Sequence, residues 1–131
     1  MSPAEVSPTR TAACPFCTME NVLLRNRFAY VVFDQNPVTP GHCLIIPFRH
    51  IEDFFATTEQ ERHAMLLLAD EAKKLLDRDF APEGYNLGVN VGEVAGQTVF
   101  HVHVHLIPRY RGDMDNPRGG VRGVIPSRQN Y

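Results

Sequence analysis

Residues 98–107 read TVFHVHVHLI, with three histidines at every second position and valines between them. Strict alternation is the pattern of a half-buried strand, in which side chains at i, i+2 and i+4 share one face. A strand over 99–107 is therefore expected. It would carry His101, His103 and His105 in a row, with Cα atoms roughly 6.7 Å apart. Val102, Val104 and Leu106 would line the other face, where β-branched residues pack well on a pleated surface. A helix would scatter the same three rings around its axis. A solvated ladder without purpose is the plain alternative, but three of the chain's six histidines stand in this one segment. Imidazoles so arranged can bind metal, shuttle protons or attack an electrophile.

The chain of 131 residues is the length of one domain and can bury a core without covalent staples. Its formal charge of -2 gives no global field for nucleic acid, and none is expected as a partner. The end of the chain is locally basic: Arg109, Arg111, Arg118, Arg122 and Arg128 face only Asp113 and Asp115 between 108 and 131. No apolar run has the length of a membrane span. The N-terminal MSPAEVSPTRTAA has no apolar signal core and reads as an unstructured lead-in over 1–13. Three cysteines (14, 17, 43) do not make an oxidised framework, which points to the cytoplasm.

Strands are expected at 28–34 (FAYVVFD), 42–47 (HCLIIP, ended by proline) and 85–90, with a turn at 36–41, NPVTPG. From Thr58 to Phe80 the pattern is that of an amphipathic helix. Thr58 and Glu61 have capping-box spacing, and Met65, Leu68, Ala69, Ala72, Leu75 and Leu76 recur on one face. After Pro108 no element is evident. The fold class is α+β, an antiparallel sheet with one main helix on a face.

Cys14 and Cys17 have C-x2-C spacing, which fits half a zinc site, a redox pair or chance. The redox reading lacks its usual βαβ context. A zinc site needs two further ligands from His42, His50, His63 or the ladder. His63, at the start of the helix on its polar side, reads as surface. That leaves His50 and one ladder histidine. The loop EVAGQT ahead of the ladder is either an ordinary turn or a phosphate cradle. In the second case Gly96 would allow close approach, and Gln97 and Thr98 would donate to an anion. There is neither a Walker loop nor a G-x-G-x-x-G run.

HVHVHLI resembles the defining motif of the histidine triad family. DQNPVTPGHCLIIP (34–47), the loop 90–98 and HVHVHLIPRYRGD (101–113) extend the resemblance, in order, over a domain at 14–113. It implies a five-stranded antiparallel sheet with one main helix, and a homodimer with a continuous sheet. It also implies nucleotide binding and cleavage at the α-phosphate. His103 would be the nucleophile and His105 would contact, orient or protonate the phosphate. Gly96, Gln97 and Thr98 would hold the α-phosphate, with Gln97 near the scissile bridge. Asp34 would bind ribose, Asn90 would lie near ribose and phosphates, and His42 would complete a cluster below the nucleophile.

Some members hold structural zinc; the matching ligands here are Cys14, Cys17, His50 and His101. The nucleotidyltransferase branch has glutamine at the third triad position. His105 stands there in this chain, so hydrolysis is expected, with dinucleoside polyphosphates as the substrates its motifs most resemble. A nucleoside phosphoramidase, an aminoacyl-adenylate hydrolase and a non-enzymatic nucleotide sensor are the alternatives. The basic tail, 114–131, is expected on or near the active site, with Arg118 or Arg122 reaching a polyphosphate.

Overall fold

Two central strands fix the architecture, because each is apolar on both faces. The computed structural model describes residues 13–131. The expected lead-in over 1–13 thus lies, but for its last residue, outside the described residues. Strand β2 (Ala29–Phe33) and strand β3 (Cys43–Pro47) pair antiparallel, Ala29 with Pro47 through to Phe33 with Cys43. Ala29, Val31, Cys43 and Ile45 point to one face, and Tyr30, Val32, Leu44 and Ile46 to the other. A strand buried on both sides needs two covers.

Helix α1 (Glu59–Phe80) is the first cover. It lays Met65, Leu68, Ala72 and Leu76 on the first face, with Ala69 and Leu75 partly buried beside them, as the periodicity requires. Thr58 caps it with both halves of the capping box formed. Gly41, in the turn before β3, has φ +89 and meets the far end of the helix. A Cβ there would lie 3.0 Å from the Leu76 side chain. His63 is exposed, as expected. No helix among the described residues is long and apolar enough to cross a membrane.

The second cover is the N-terminal knuckle. Cys14, Phe16 and Cys17 pack on Tyr30, Val32, Leu44 and Ile46, and the Tyr30 hydroxyl donates to the Phe16 carbonyl. The sheet is completed by β1 (Leu24–Arg25), β4 (Gly84–Val89) and β5 (Val104–Arg109), in the order β1-β2-β3-β5-β4, antiparallel throughout. The expected fold class stands: a five-stranded antiparallel sheet with one main helix.

The strands expected at 28–34, 42–47 and 85–90 each shift by one residue at an end or at both, and two differences are larger. Strand β1 has only two residues, too few to leave a pattern. The histidine strand was expected over 99–107, but β5 begins at Val104 and runs on to Arg109. Before it, the Val102 N–H donates to the Ile51 carbonyl and so leaves the sheet ladder. The alternation still holds, with Val104 and Leu106 on the α1 face.

The helix entry is locked by a buried ion pair. Arg49, just past β3, donates to Glu61 through Nε at 3.0 Å and an η nitrogen at 2.7 Å. Burial pushes the Glu61 carboxyl up, but hydrogen bonds from Arg49 and Thr58 outweigh it and hold it below its ordinary value. Arg49→Ala should therefore cost about 3 kcal/mol by leaving a buried carboxylate without its partner. Thr58→Ala should cost about 1 kcal/mol. Chemical denaturation measures both, and an Arg49 loss no larger than the Thr58 loss would show the ion pair to be superficial.

Candidate functional site

The residues 101–105 meet β3 and the knuckle on the face opposite α1. His101 is fully buried and His103 9% exposed, which excludes a solvated ladder. His103 and His105 are in ring contact at 5.1 Å, and His42 lies 5.1 Å beyond His105. Phe16 sits edge-on to His103 at 4.9 Å. His103, His105 and Phe16 border a cavity of about 380 Å³, whose lining also includes Asp34, Asn90, Gly96 and Thr98. Its other wall is apolar: Phe16, Met19, Phe33, Leu44 and Val99.

Backbone groups dictate the tautomer of each ring. The His101 carbonyl can only accept, so His103 Nδ1 carries the proton it donates across 2.9 Å, and His103 Nε2 keeps a lone pair. The Val38 N–H donates to His42 Nδ1 at 3.0 Å, which places the His42 proton on Nε2. That nitrogen is 2.9 Å from His105 Nδ1, which accepts, so the His105 proton sits on Nε2. One ring thus has a free lone pair and its neighbour a free N–H. Asp34 Oδ2 is 3.5 Å from His42 Nε2, a longer contact to a neutral ring rather than an ion pair.

Burial keeps the two inner rings neutral. It lowers His105 to about 4, helped by the neighbouring His103 and His42 and opposed by Asp34. It lowers His42 as well, again against Asp34.

A second cluster lies behind the first. Ligand atoms of Cys14, Cys17, His50 and His101 all fall within 4.8 Å of one another and could hold a metal ion. Cys14 Sγ and Cys17 Sγ are 3.4 and 3.6 Å from His101 Nδ1, and Cys17 Sγ is 3.2 Å from His50 Nδ1. The other nitrogen of His101 donates to the Pro47 carbonyl at 2.8 Å. Its Nδ1 lone pair therefore faces the thiols. Cys43 stands apart: its thiol is pushed up to about 12 by burial and donates to the Gly41 carbonyl.

The HIT domain model matches residues 18–112. The chain belongs to the HIT domain family. It is 37% identical to an uncharacterised HIT-like protein of Mycoplasma genitalium, over 76% of this chain and 75% of that protein. Two enzymes are among its relatives. The AP-4-A phosphorylase of Mycobacterium tuberculosis is 31% identical over 70% of this chain and 48% of that protein. The asymmetrical bis(5'-nucleosyl)-tetraphosphatase of Schizosaccharomyces pombe is 33% identical over 70% and 50%. The chain spans about half the length of these two enzymes.

Among solved structures, a HIT family protein from Bacillus anthracis superposes with a TM-score of 0.72 at 35% identity, covering 78% of this chain and 77% of that one. A zinc-bound histidine triad protein from Mycobacterium smegmatis gives 0.70 at 29%, covering 77% and 78%.

Most residues singled out in the sequence of this HIT domain meet at the two clusters. Gln97 turns into its own loop. It is 4% exposed and does not line the cavity. Its Oε1 accepts from the Gly92 N–H, and its Nε2 donates to the carbonyls of Glu52 and Val99. These bonds shape the loop and leave Oε1 one further acceptor site. The tail 114–131 adds no residue to the cavity lining. It lies against β4 instead, with Gly120 beside Asn86. The apolar wall escaped the sequence reading. Phe16 was visible inside CPFC, but nothing in the linear pattern says that it turns toward His103.

The lowered His105 gives a signed pH dependence. Unfolded, the ring takes a proton near 6.5; folded, it resists until about 4. The stability linked to its neutrality is present above pH 6.5 and is lost as pH falls toward 4. The loss of stability between pH 7 and 5 should be smaller in His105→Gln than in the parent chain. Equal losses by urea denaturation would remove His105 from the linkage.

Proposed function

We propose that this chain cleaves nucleotides at the α-phosphate by two displacements on His103, with dinucleoside polyphosphates as substrates. The observation that carries the reading is the pair of ring edges offered to one cavity: the bare lone pair of His103 Nε2 beside the N–H of His105 Nε2. A neutral imidazole is a competent nucleophile near pH 7. A donor beside it stabilises charge on the phosphoryl oxygens without reorganising. In the first step Nε2 bonds to the α-phosphorus. The bond to the bridging oxygen breaks, and the rest of the polyphosphate leaves with that electron pair. In the second, water bonds to phosphorus, the N–P pair returns to Nε2, a proton goes to solvent and a nucleoside monophosphate departs.

The other cavity residues take the places this reading gives them. Asp34 meets the ribose hydroxyls, Asn90 the ribose and phosphates, and Gly96 and Thr98 the α-phosphate. His42 fixes the proton of His105. The apolar wall at Phe16 and Val99 receives a base. A homodimer belongs to the same reading. The edge strand β4 has Leu87 exposed on the α1 face, near the exposed Leu66 of α1, and pairing there would extend the sheet.

The catalytic test is product analysis. Diadenosine tetraphosphate should give AMP and ATP in water, and His103→Ala should lower turnover at least about 10³-fold. ADP in place of AMP when inorganic phosphate is added would move the chain to phosphorolysis. Cleavage of adenosine phosphoramidate alone would make it a phosphoramidase. AMP binding without any turnover would make it a sensor and sink the enzymatic reading.

The second cluster is assigned to structural zinc. With Zn–S near 2.3 Å and Zn–N near 2.0–2.1 Å, a tetrahedral ion sets its sulfur and nitrogen ligands about 3.5 Å apart. The separations of 3.2, 3.4 and 3.6 Å fit. The Pro47 carbonyl supplies the outer-shell bond that orients a histidine ligand. Bound zinc would supply a cross-link between knuckle and sheet. Metal analysis should find one zinc per chain, and a chelator should lower the melting temperature. Unchanged melting of a chain free of metal would refute the assignment.

A further inference from the structure

The basic tail forms a structured element of its own. Arg118 and Arg122 each hold a guanidinium carbon 4.9 Å from the centre of the Tyr131 ring. Four arginines are held by acids, Arg49 by Glu61, Arg78 by Asp79, Arg109 by Asp113 and Arg111 by Glu83, whereas among the described residues Arg25, Arg27, Arg62 and Arg128 are not. Among the described residues no carboxylate pairs with Arg118 or Arg122. Two cations gathered on one ring and outside any ion pair among the described residues favour an anion.

The tail is also braced. Asn116 donates to Asn130, and Gln129 donates to the carbonyls of Asn116 and Arg118. Gly119, at φ +89, lies against the same strap: a Cβ there would stand 1.9 Å from the Gln129 carbonyl oxygen. The guanidiniums are therefore largely preorganised, which lowers the cost of binding.

Its position points to the ligand. On β4 the residues Gly84, Asn86 and Gly88 share the face of His105, because Gly88 pairs with His105 and Asn86 with Ile107. The 3-10 turn Gly120–Val124, which carries Arg122, begins against the Asn86 side chain. Asn86 is the diagonal neighbour of His105, about 7–8 Å away. Beside His105 the strand is open at Gly88, where a Cβ would meet nothing within 4 Å. The tail begins one diagonal step beyond that gap, against Asn86.

We propose that Arg118 and Arg122, held on Tyr131, form a distal subsite for the polyphosphate chain of a nucleotide whose α-phosphate lies at His103. This rests on the reading of the cavity given above. The subsite would select long leaving groups and leave the chemical step alone.

The test compares Arg118→Ala/Arg122→Ala with the parent chain on three probes. KM for diadenosine tetraphosphate should rise on the order of tenfold or more, given the strength of hydrogen bonds to charged groups. KM for adenosine phosphoramidate and kcat for both should stay put. Inorganic tripolyphosphate, titrated by calorimetry, should lose affinity by a similar factor. Tripolyphosphate binding that ignores the arginines, or that is absent from the parent chain, overturns the subsite. So does a KM that rises equally for both substrates, which would mark a fold effect. If neither substrate turns over while tripolyphosphate binding still needs the arginines, the catalytic reading fails and the subsite survives.

Discussion

The hydrogen bond from His103 Nδ1 to the His101 carbonyl is the contact on which the site depends. It fixes which nitrogen of His103 faces the cavity, and it can do so only if the His101 peptide stays still. That peptide is held through its own side chain. The His101 ring is fully buried, with one nitrogen on the Pro47 carbonyl and the other toward Cys14 and Cys17. Pro47 ends β3, and the cysteines belong to the knuckle. The aim of His103 thus derives from the end of a core strand and from the segment that covers it. Every-other spacing makes this possible, because a residue and its second neighbour share a face while the carbonyl between them lies within reach of the second ring.

The same economy governs charge. Five imidazoles stand close together, those of His42, His50, His101, His103 and His105, and positive rings there would repel one another. Burial removes that problem by lowering His42 and His105. Main-chain groups of Val38, Pro47 and His101 settle which ring nitrogen of His42, His101 and His103 takes each backbone hydrogen bond. His105 takes its orientation at one remove, through His42. A cluster wired in this way presents a lone pair and a donor side by side. That is the polarity a phosphoryl group requires at its phosphorus and at its oxygens.

Much of this was legible in the sequence, and the parts that were not have identifiable causes. Helix α1 could be read because capping and periodicity agreed from Thr58 to Phe80. Strands β2 and β3 could be read as apolar runs. The chemistry-bearing residues Cys14, Cys17, His50 and His101 could be grouped, through family resemblance, before any coordinates. Strand β1 was missed because two residues carry no period. The start of β5 was misplaced because alternation reports side-chain direction, whereas strand assignment reports hydrogen bonds, and Val102 gives its N–H to Ile51. The bonds of Gln97 were not legible for a different reason: the fold brings Gly92, Glu52 and Val99 to it, one of them 45 residues away in sequence.

Why the cavity lies where it does follows from the sheet face opposite α1. On β2 and β3 that face carries Tyr30, Val32, Leu44 and Ile46, which must be covered, and the knuckle covers them. On β4 the same face carries Gly84, Asn86 and Gly88, which demand no cover. Strand β5 stands between these two regimes and carries His105 at the boundary. A full apolar roof is required on one side of the histidines, whereas on the other the tail meets the strand at Asn86. The opening is therefore a consequence of which residues needed burying, and the cavity has an apolar wall at Phe16, Met19 and Val99 and polar groups at Asp34, Asn90 and Thr98. A nucleotide has the same asymmetry, with a base to bury and phosphates to leave half in water.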